Sequence, residues 1–438
     1  MYDKKYKLTI LLILSSLVVV SPCFTMAYTI ESENIRPFNP RIDDYIHDKM
    51  LQYYIPSVAT AVVRNNSILW SKGFGLNNDP QTIYMTGSVT KTFTATAIFQ
   101  IYEQGLIQLG DDVNLYLPFS LRHPNYTSTP ITIEMLLTHY SGISKDTYMY
   151  ENGMAEDGLN RIGMENPYDW LPHPYWIEEH LTPNGSLYIP EVWTPYEPGT
   201  TRFYSNMGYN VLGYILELVT GKSIWDYVQE NIFDPLEMHS TAYNFTNFAD
   251  YQLARPWIYE FEADPSSTGN KIYPHYNYLA YSSGAIRSNV YDLARFLLVH
   301  LHNGISKGVR ILEETTVQIM HQTQASWIDG KAGLVDWSGW GGTEGDIYGF
   351  HAKAYGIYDD DVTVPYAVIT LINQGSDEAR GACFEITSKL QDYVHIYDAG
   401  FPNNTNDFMS IVLSSSFPVL LGVSLILIFG LKQKRVRK

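Results

Sequence analysis

Ser88-Val89-Thr90-Lys91 sets a hydroxyl and an amine three residues apart, the one Ser-x-x-Lys in the chain. Residues three apart share one face of a helix, so Lys91 would point back toward Ser88. An apolar helical pattern follows through Phe93, Ala97, Ile98 and Ile101. A serine hydroxyl becomes a nucleophile when a neighbouring base takes its proton, and a lysine serves as that base when its surroundings favour the neutral amine. A helix N-terminus at Ser88 would also favour the negative charge that develops on an attacked carbonyl. A capped helix carrying a surface lysine has the same signature, so the motif does not decide by itself.

Tyr204-Ser205-Asn206 supplies a second pair. A tyrosine can relay a proton, and an asparagine two residues on can hydrogen-bond both a lysine and a substrate. Tyr150-Glu151-Asn152 has the same spacing. Context separates them: Glu197-Pro198-Gly199 precedes Tyr204, and a long amphipathic pattern through Leu212, Ile215, Leu216 and Val219 follows. Other chemistries lack support. There is no His-Glu-x-x-His and no phosphate-binding glycine loop, so neither metal nor cofactor is expected. The 12 histidines are scattered.

The elements that must hold these residues can be read from periodicity. With 438 residues, 45% hydrophobic and 17% charged, the chain can bury a substantial core. A net charge of −17 disfavours nucleic acid as a partner. Ile42, Tyr45, Ile46, Met50 and Tyr53 predict a helix over 40–54. Residues 57–63 and 68–74 predict a hairpin around Asn65-Asn66. Residues 347–358 and 364–373 predict two late strands, and 377–393 a helix with Cys383 on its packed face. From about 88 to 320 helical patterns dominate, and the Pro- and Tyr/Trp-rich stretch 148–198 reads as a long irregular region. Strands at both ends with helices between them predict one sheet built from distant segments around a mainly helical insertion.

The termini read as membrane signals. Lys4, Lys5 and Lys7 precede the apolar run Leu8 to Val20, and Thr25 and Ala27 are spaced for cleavage, so 1–27 reads as an export signal. Residues 409–431 carry no charge and are long enough to cross a bilayer of about 30 Å. Residues 432–438 form a basic tail of the kind retained in the cytoplasm. The expectation is a 1–27 signal, a 38–397 body, a 398–408 linker, a 409–431 transmembrane helix and a 432–438 tail, with the body outside the cell membrane. Five Asn-x-Ser/Thr sequons, at Asn65, Asn125, Asn184, Asn244 and Asn403, agree with export. Cleavage would leave Cys383 as the single cysteine, hence no intrachain disulfide.

Several ordered blocks resemble the serine β-lactamase-related family, which includes class C β-lactamases, D-alanyl-D-alanine carboxypeptidases, D-aminopeptidases and family VIII carboxylesterases. They are Met85 to Ala95 with Glu103-Gln104-Gly105, Leu136-Leu137-Thr138-His139-Tyr140-Ser141-Gly142-Ile143, Pro198-Gly199 through Tyr204-Ser205-Asn206 to Pro235-Leu236-Glu237-Met238, and Ser283 to Ser288 with Asp292 to Phe296. The resemblance covers about 40–395. It implies an α+β or α/β, β-lactamase/transpeptidase-like fold, an antiparallel sheet flanked by helices with an inserted mainly helical subdomain. It also implies roles. Ser88 would be the acylated nucleophile, Lys91 and Tyr204 its proton-transfer partners, and Asn206 the residue orienting Lys91 and substrate. His139 would pack and hydrogen-bond rather than act as a base.

The third motif departs from the family, which usually sets Lys-Thr-Gly or His-x-Gly on a strand beside the site. Trp340-Gly341-Gly342 is the best match, ahead of Lys331-Ala332-Gly333 and His302-Asn303-Gly304. The glycines would admit a substrate close to the backbone, and the Thr343 N–H would join the Ser88 N–H as an oxyanion hole. Trp340 carries no charge to hold a substrate carboxylate, and some family VIII carboxylesterases share Trp-Gly-Gly here. The expected function is therefore a membrane-anchored, outward-facing serine hydrolase acting on a small-molecule ester, amide or peptide, carboxylesterase-like first. D-Ala peptide or β-lactam hydrolysis is the alternative, and a non-catalytic binding or scaffolding protein the alternative of another class.

Overall fold

The computed structural model describes residues 40–64, 67–144, 173–260, 269–278, 280–322, 340–357 and 366–398. The export signal, the 409–431 segment, the basic tail and the Tyr150 motif lie outside the described residues. Among the described residues no helix is long and apolar enough to cross a membrane.

Helix α1 (Pro40–Gln52) leads into a hairpin of β1 (Ser57–Arg64) and β2 (Ser67–Gly75). Then come β3 (Tyr84–Met85), α2 (Thr90–Glu103), α3 (Ile133–Leu137), α4 (His173–Leu181) and α5 (Asn206–Thr220). A ribbon of β4 (Trp257–Glu260) and β5 (Gly269–Ile272) follows, then α6 (Tyr281–Gly284), β6 (Arg287–Ser288) and α7 (Val290–Leu301). The chain closes with a small ribbon of β7 (Ile305–Ser306) and β8 (Val309–Arg310), then α8 (Glu314–Gln322), β9 (Trp340–Ile347), β10 (Phe350–Ile357), β11 (Tyr366–Ile372) and α9 (Asp377–Asp398).

Five strands form one antiparallel sheet in the order β2-β1-β11-β10-β9. The centre joins the two ends of the body: Val58 pairs with Ile372 and Arg64 with Tyr366. Every residue of β11 is buried, as expected of a strand covered on both faces. Alternation sorts the side chains into two layers. Ala59, Ala61, Val63, Ala367, Ile369 and Leu371 join the core that includes α2, α5 and α7. The opposite face meets α1 and α9. There Thr370 Oγ1 lies 2.9 Å from Thr387 Oγ1, and the Cys383 thiol contacts the Thr370 carbonyl. Cys383 is buried and free, and burial pushes its thiol upward, so it is a packing residue.

The expected late strand 347–358 is observed as β10, and β9, which was not expected, precedes it. The two-residue turn Tyr348-Gly349, with Gly349 at φ +80°, folds β9 back along β10, and Ile347 pairs with Phe350. Pattern reading missed β9 because Trp-Gly-Gly-Thr-Glu-Gly-Asp-Ile combines three glycines with two acids, a composition poor in strand formers. That strand is the sheet edge beside the Ser88 turn.

Candidate active site

Ser88 sits on a 3-10 turn, Gly87–Val89, that runs directly into α2. The approach is fixed by the β3–β6 ladder, Tyr84 with Ser288 and Met85 with Arg287. Thr86 then donates both its N–H and its hydroxyl to the Ile286 carbonyl, at 2.9 and 2.8 Å. Gly87 takes φ +52°, a left-handed turn natural to glycine. Ser88 is half-buried, whereas Lys91, one turn on, is 5% exposed.

Lys91 Nζ stands 3.0 Å from Ser88 Oγ, 2.5 Å from Asn206 Oδ1 and 2.8 Å from the Ser283 carbonyl. Its Nζ also lies 4.8 Å from the centre of the Tyr204 ring. The Tyr204 hydroxyl is 2.6 Å from Ser88 Oγ on its other side. Tyr204 and Asn206 reach the same centre because they flank the start of α5. Ser205 is the N-cap, its hydroxyl accepting the Gly208 N–H at 3.0 Å, so the backbone is extended before it and helical after it. The structure thus brings together Ser88, Lys91, Tyr204 and Asn206, the four residues that the two short motifs and the family resemblance single out.

This geometry limits where protons can go. The Asn206 amide oxygen and the Ser283 carbonyl only accept, so Lys91 donates to both. A neutral amine would then aim its lone pair at Ser88, with Tyr204 donating to the same hydroxyl. An ammonium facing a tyrosinate is the other arrangement of the same protons. In either form one neighbour can take the Ser88 proton while the other holds the oxygen in place.

The third motif is placed differently from expectation. The contact of β9 with the Ser88 turn falls at Gly345 and Asp346. A Cβ on Gly345 would stand 1.9 Å from the Thr86 carbonyl oxygen and 2.8 Å from the Ser88 nitrogen. A Cβ on Gly87 would stand 3.0 Å from the Asp346 nitrogen. Gly342 lies three residues earlier, about 10 Å along the strand, with Gly341 and Trp340 beyond it. Thr343 cannot supply the expected N–H. With Ile347 and Phe350 closing a two-residue turn as a hydrogen-bonded pair, Gly345–Ala352 and Thr343–Ala354 are also hydrogen-bonded pairs. The Thr343 N–H is therefore spent on β10, and the Asp346 N–H points outward beside Ser88. Thr343 keeps a different place: it shares a strand face with Gly345, two residues before it, and it carries no charge.

Glu344 and Asp346 occupy the other face of β9, where α9 anchors them. Arg380 Nη2 lies 3.0 Å from Glu344 Oε1, and Arg380 Nε lies 2.8 Å from Asp346 Oδ2. Lys353 pairs with Glu344 at 2.9 Å, and His351 Nδ1 lies 2.6 Å from Asp346 Oδ1. Burial would raise the Asp346 carboxyl, but the His351 hydrogen bond and the neighbouring His351, Arg380 and Lys353 outweigh it and hold the group below its usual range. Sequence reasoning missed Gly345, Asp346, Arg380 and the Ser283 carbonyl. A glycine two residues past a neutral Thr343 was the available signal for the first two. Among the described residues no group of histidine, cysteine and carboxylate side chains is arranged to hold a metal.

The chain is similar to penicillin-binding protein 4 of Amycolatopsis lactamdurans, 25% identical over 308 residues, which cover 66% of this chain and 71% of that protein. It is also similar to protein flp of Staphylococcus aureus strain COL, 25% identical over 349 residues. That match covers 77% of this chain but 63% of protein flp, so the chain spans less than two thirds of that relative. Among solved structures, the octameric penicillin-binding protein homologue from Pyrococcus abyssi superposes with a TM-score of 0.62 at 25% identity, over 80% of this chain and 77% of that one. The model of the family described as Beta-lactamase matches residues 42–382, from α1 to α9, and the chain belongs to that family of serine hydrolases.

Proposed function

We propose that this protein is a carboxylesterase-like serine hydrolase that cleaves uncharged esters through an acyl-enzyme on Ser88. The observation that carries the reading is Ser88 Oγ held between Lys91 Nζ at 3.0 Å and the Tyr204 hydroxyl at 2.6 Å. Ser88 Oγ attacks the ester carbonyl while its proton passes to the Lys91–Tyr204 pair. The Ser88 and Asp346 N–H groups receive the developing oxyanion. The pair returns the proton to the leaving alcohol, and water then repeats the sequence on the acyl-enzyme, releasing the acid and restoring Ser88. The preference for esters rests on Thr343, a neutral residue on the strand face shared with Gly345. A cation there would attract a substrate carboxylate, and a neutral ester loses nothing without one.

A second reading, hydrolysis of the amide of a D-amino-acid peptide or a β-lactam, is favoured by the similarity to penicillin-binding protein 4. One experiment separates the two. The purified protein is labelled with a fluorophosphonate probe, in competition with p-nitrophenyl acetate or with a penicillin. Labelling at Ser88 that is lost in Ser88→Ala and competed by the ester supports the first reading. Competition by penicillin alone supports the second, and labelling that persists in Ser88→Ala rejects both.

The same proposal places the body outside the cell, anchored by 409–431. Protease added to intact cells should digest the body and leave a small fragment containing 409–438. An epitope at Lys438 that is accessible without permeabilisation would refute this topology.

A further inference from the structure

His139 lies beside the site without being needed by any step above. It follows α3 and, among the described residues, is one of few non-glycine residues with a left-handed backbone, φ +63°. It is 1% exposed. Its carbonyl accepts the Phe203 N–H at 2.8 Å, and its ring Nδ1 accepts the Ser205 N–H at 3.1 Å. These two bonds grip the backbone immediately before and after Tyr204. The ring itself stands 4.6 Å from the Tyr204 ring and 5.2 Å from that of Tyr209, both centre to centre. One residue therefore fixes the backbone on both sides of Tyr204 and supports its ring.

We propose that His139 is the positioning residue for Tyr204, holding its hydroxyl in line with Ser88 by backbone clamping, as a neutral imidazole with its proton on Nε2. This rests on the acyl-enzyme reading given above. The tautomer follows from geometry: the Ser205 N–H can only donate, so Nδ1 must present its lone pair. Burial agrees, because it holds the ring well below the usual histidine range, and the Lys91 and Arg202 charges act in the same direction. The left-handed backbone is part of the device, since it lets one residue offer both its carbonyl and its ring to the 203–205 segment.

Side-chain geometry yields a discriminating set of variants. In His139→Asn the Oδ1 atom falls close to the position of Nδ1, and asparagine tolerates a left-handed backbone. His139→Gly accepts the backbone but has no acceptor. His139→Phe keeps a ring without the acceptor. Turnover of p-nitrophenyl acetate by the full chain should fall about 10²-fold in kcat for the glycine and phenylalanine variants, the scale of loss from misplacing a catalytic group by about 1 Å. KM should stay within about threefold, and His139→Asn should recover to within about fivefold of wild-type kcat, because it keeps the Nδ1-like acceptor that aligns the group. Thermal unfolding of each variant separates misfolding from misalignment. Asparagine and glycine variants of similar stability and equal kcat would overturn the proposal. So would nitrogen NMR showing Nδ1 of His139 protonated at pH 7 in the native protein, a measurement that needs no variant activity. Absence of Ser88 labelling in the wild type would instead reject the acyl-enzyme reading, and this role with it.

Discussion

Replacing Gly345 by alanine should disable the site while leaving the Ser88, Lys91 and Tyr204 side chains in the sequence. The added Cβ would lie 1.9 Å from the Thr86 carbonyl oxygen, and all three of its nearest neighbours are backbone atoms of Thr86 and Ser88. Even a 3.0 Å separation, the lower limit of real Cβ contacts, requires the strand and the turn to part by more than 1 Å. No flexible side chain can absorb that movement. The Asp346 N–H, the next residue on the strand, would move with it away from the oxygen it is meant to stabilise. Loss of one oxyanion donor costs about 10²–10³-fold in kcat. We therefore expect Gly345→Ala to lower kcat on p-nitrophenyl acetate by about that factor, and to slow fluorophosphonate labelling comparably. Gly342→Ala, about 10 Å back along β9, should have little effect on either. The assays are steady-state kinetics and single-turnover labelling, with circular dichroism to establish that the variant folds. If Gly342→Ala abolishes turnover and Gly345→Ala leaves it intact, the motif lies at Trp340-Gly341-Gly342 and the register argument fails.

Two further outcomes follow from the same geometry. Thr343→Lys should raise kcat/KM for a chromogenic cephalosporin relative to p-nitrophenyl acetate by about ten- to a hundredfold, the worth of a charge-assisted hydrogen bond of roughly 1.5–3 kcal/mol to a carboxylate; an unchanged ratio would show that position 343 does not face the substrate. His300 is buried on α7 against Phe296 and His321, and burial lowers its ring to about 4. The unfolded chain takes up that proton near pH 6.5 and the folded chain only near 4. Its contribution is therefore full above about pH 6.5 and falls by roughly 3 kcal/mol as the pH drops to about 4. Urea midpoints measured at pH 7.5 and 4.5 should differ less for His300→Leu than for wild type, and an identical difference would refute the assignment.

Much of the sheet was legible from local signals, and four chemical residues from short local motifs that the family resemblance selected. Ser88 and Lys91 share a helical face, and Tyr204 and Asn206 straddle a helix start marked by Ser205. Strong β-branched runs announced β1 and β11, and the expected 40–54 and 377–393 helices are observed as Pro40–Gln52 and Asp377–Asp398. The edge strand was not legible in the same way. Its glycines look like loop residues until the Ser88 turn is packed against them, and that contact joins residues some 250 positions apart. The shift from Thr343 to Asp346 needed the turn at Tyr348-Gly349, which sets which amides face outward. His139 showed its place in a motif, but its grip on both sides of Tyr204 depends on a left-handed backbone that no local pattern announces.

The pairing of β1 with β11 also bears on how the chain is made. Ribosomes supply about 5–20 residues per second, so the β1–β2 hairpin exists for roughly 15–60 seconds before its central partner is synthesised. Throughout that interval β1, whose residues are almost all buried in the finished sheet, presents an open and largely apolar edge. Neither layer can close over the sheet without its centre, and β9 cannot reach the Ser88 turn. The proposed hydrolytic site is therefore completed late and all at once, when the last fifth of the chain joins the first. A nascent or truncated body ending before residue 366 would be both inactive and prone to pair its exposed strand with another chain.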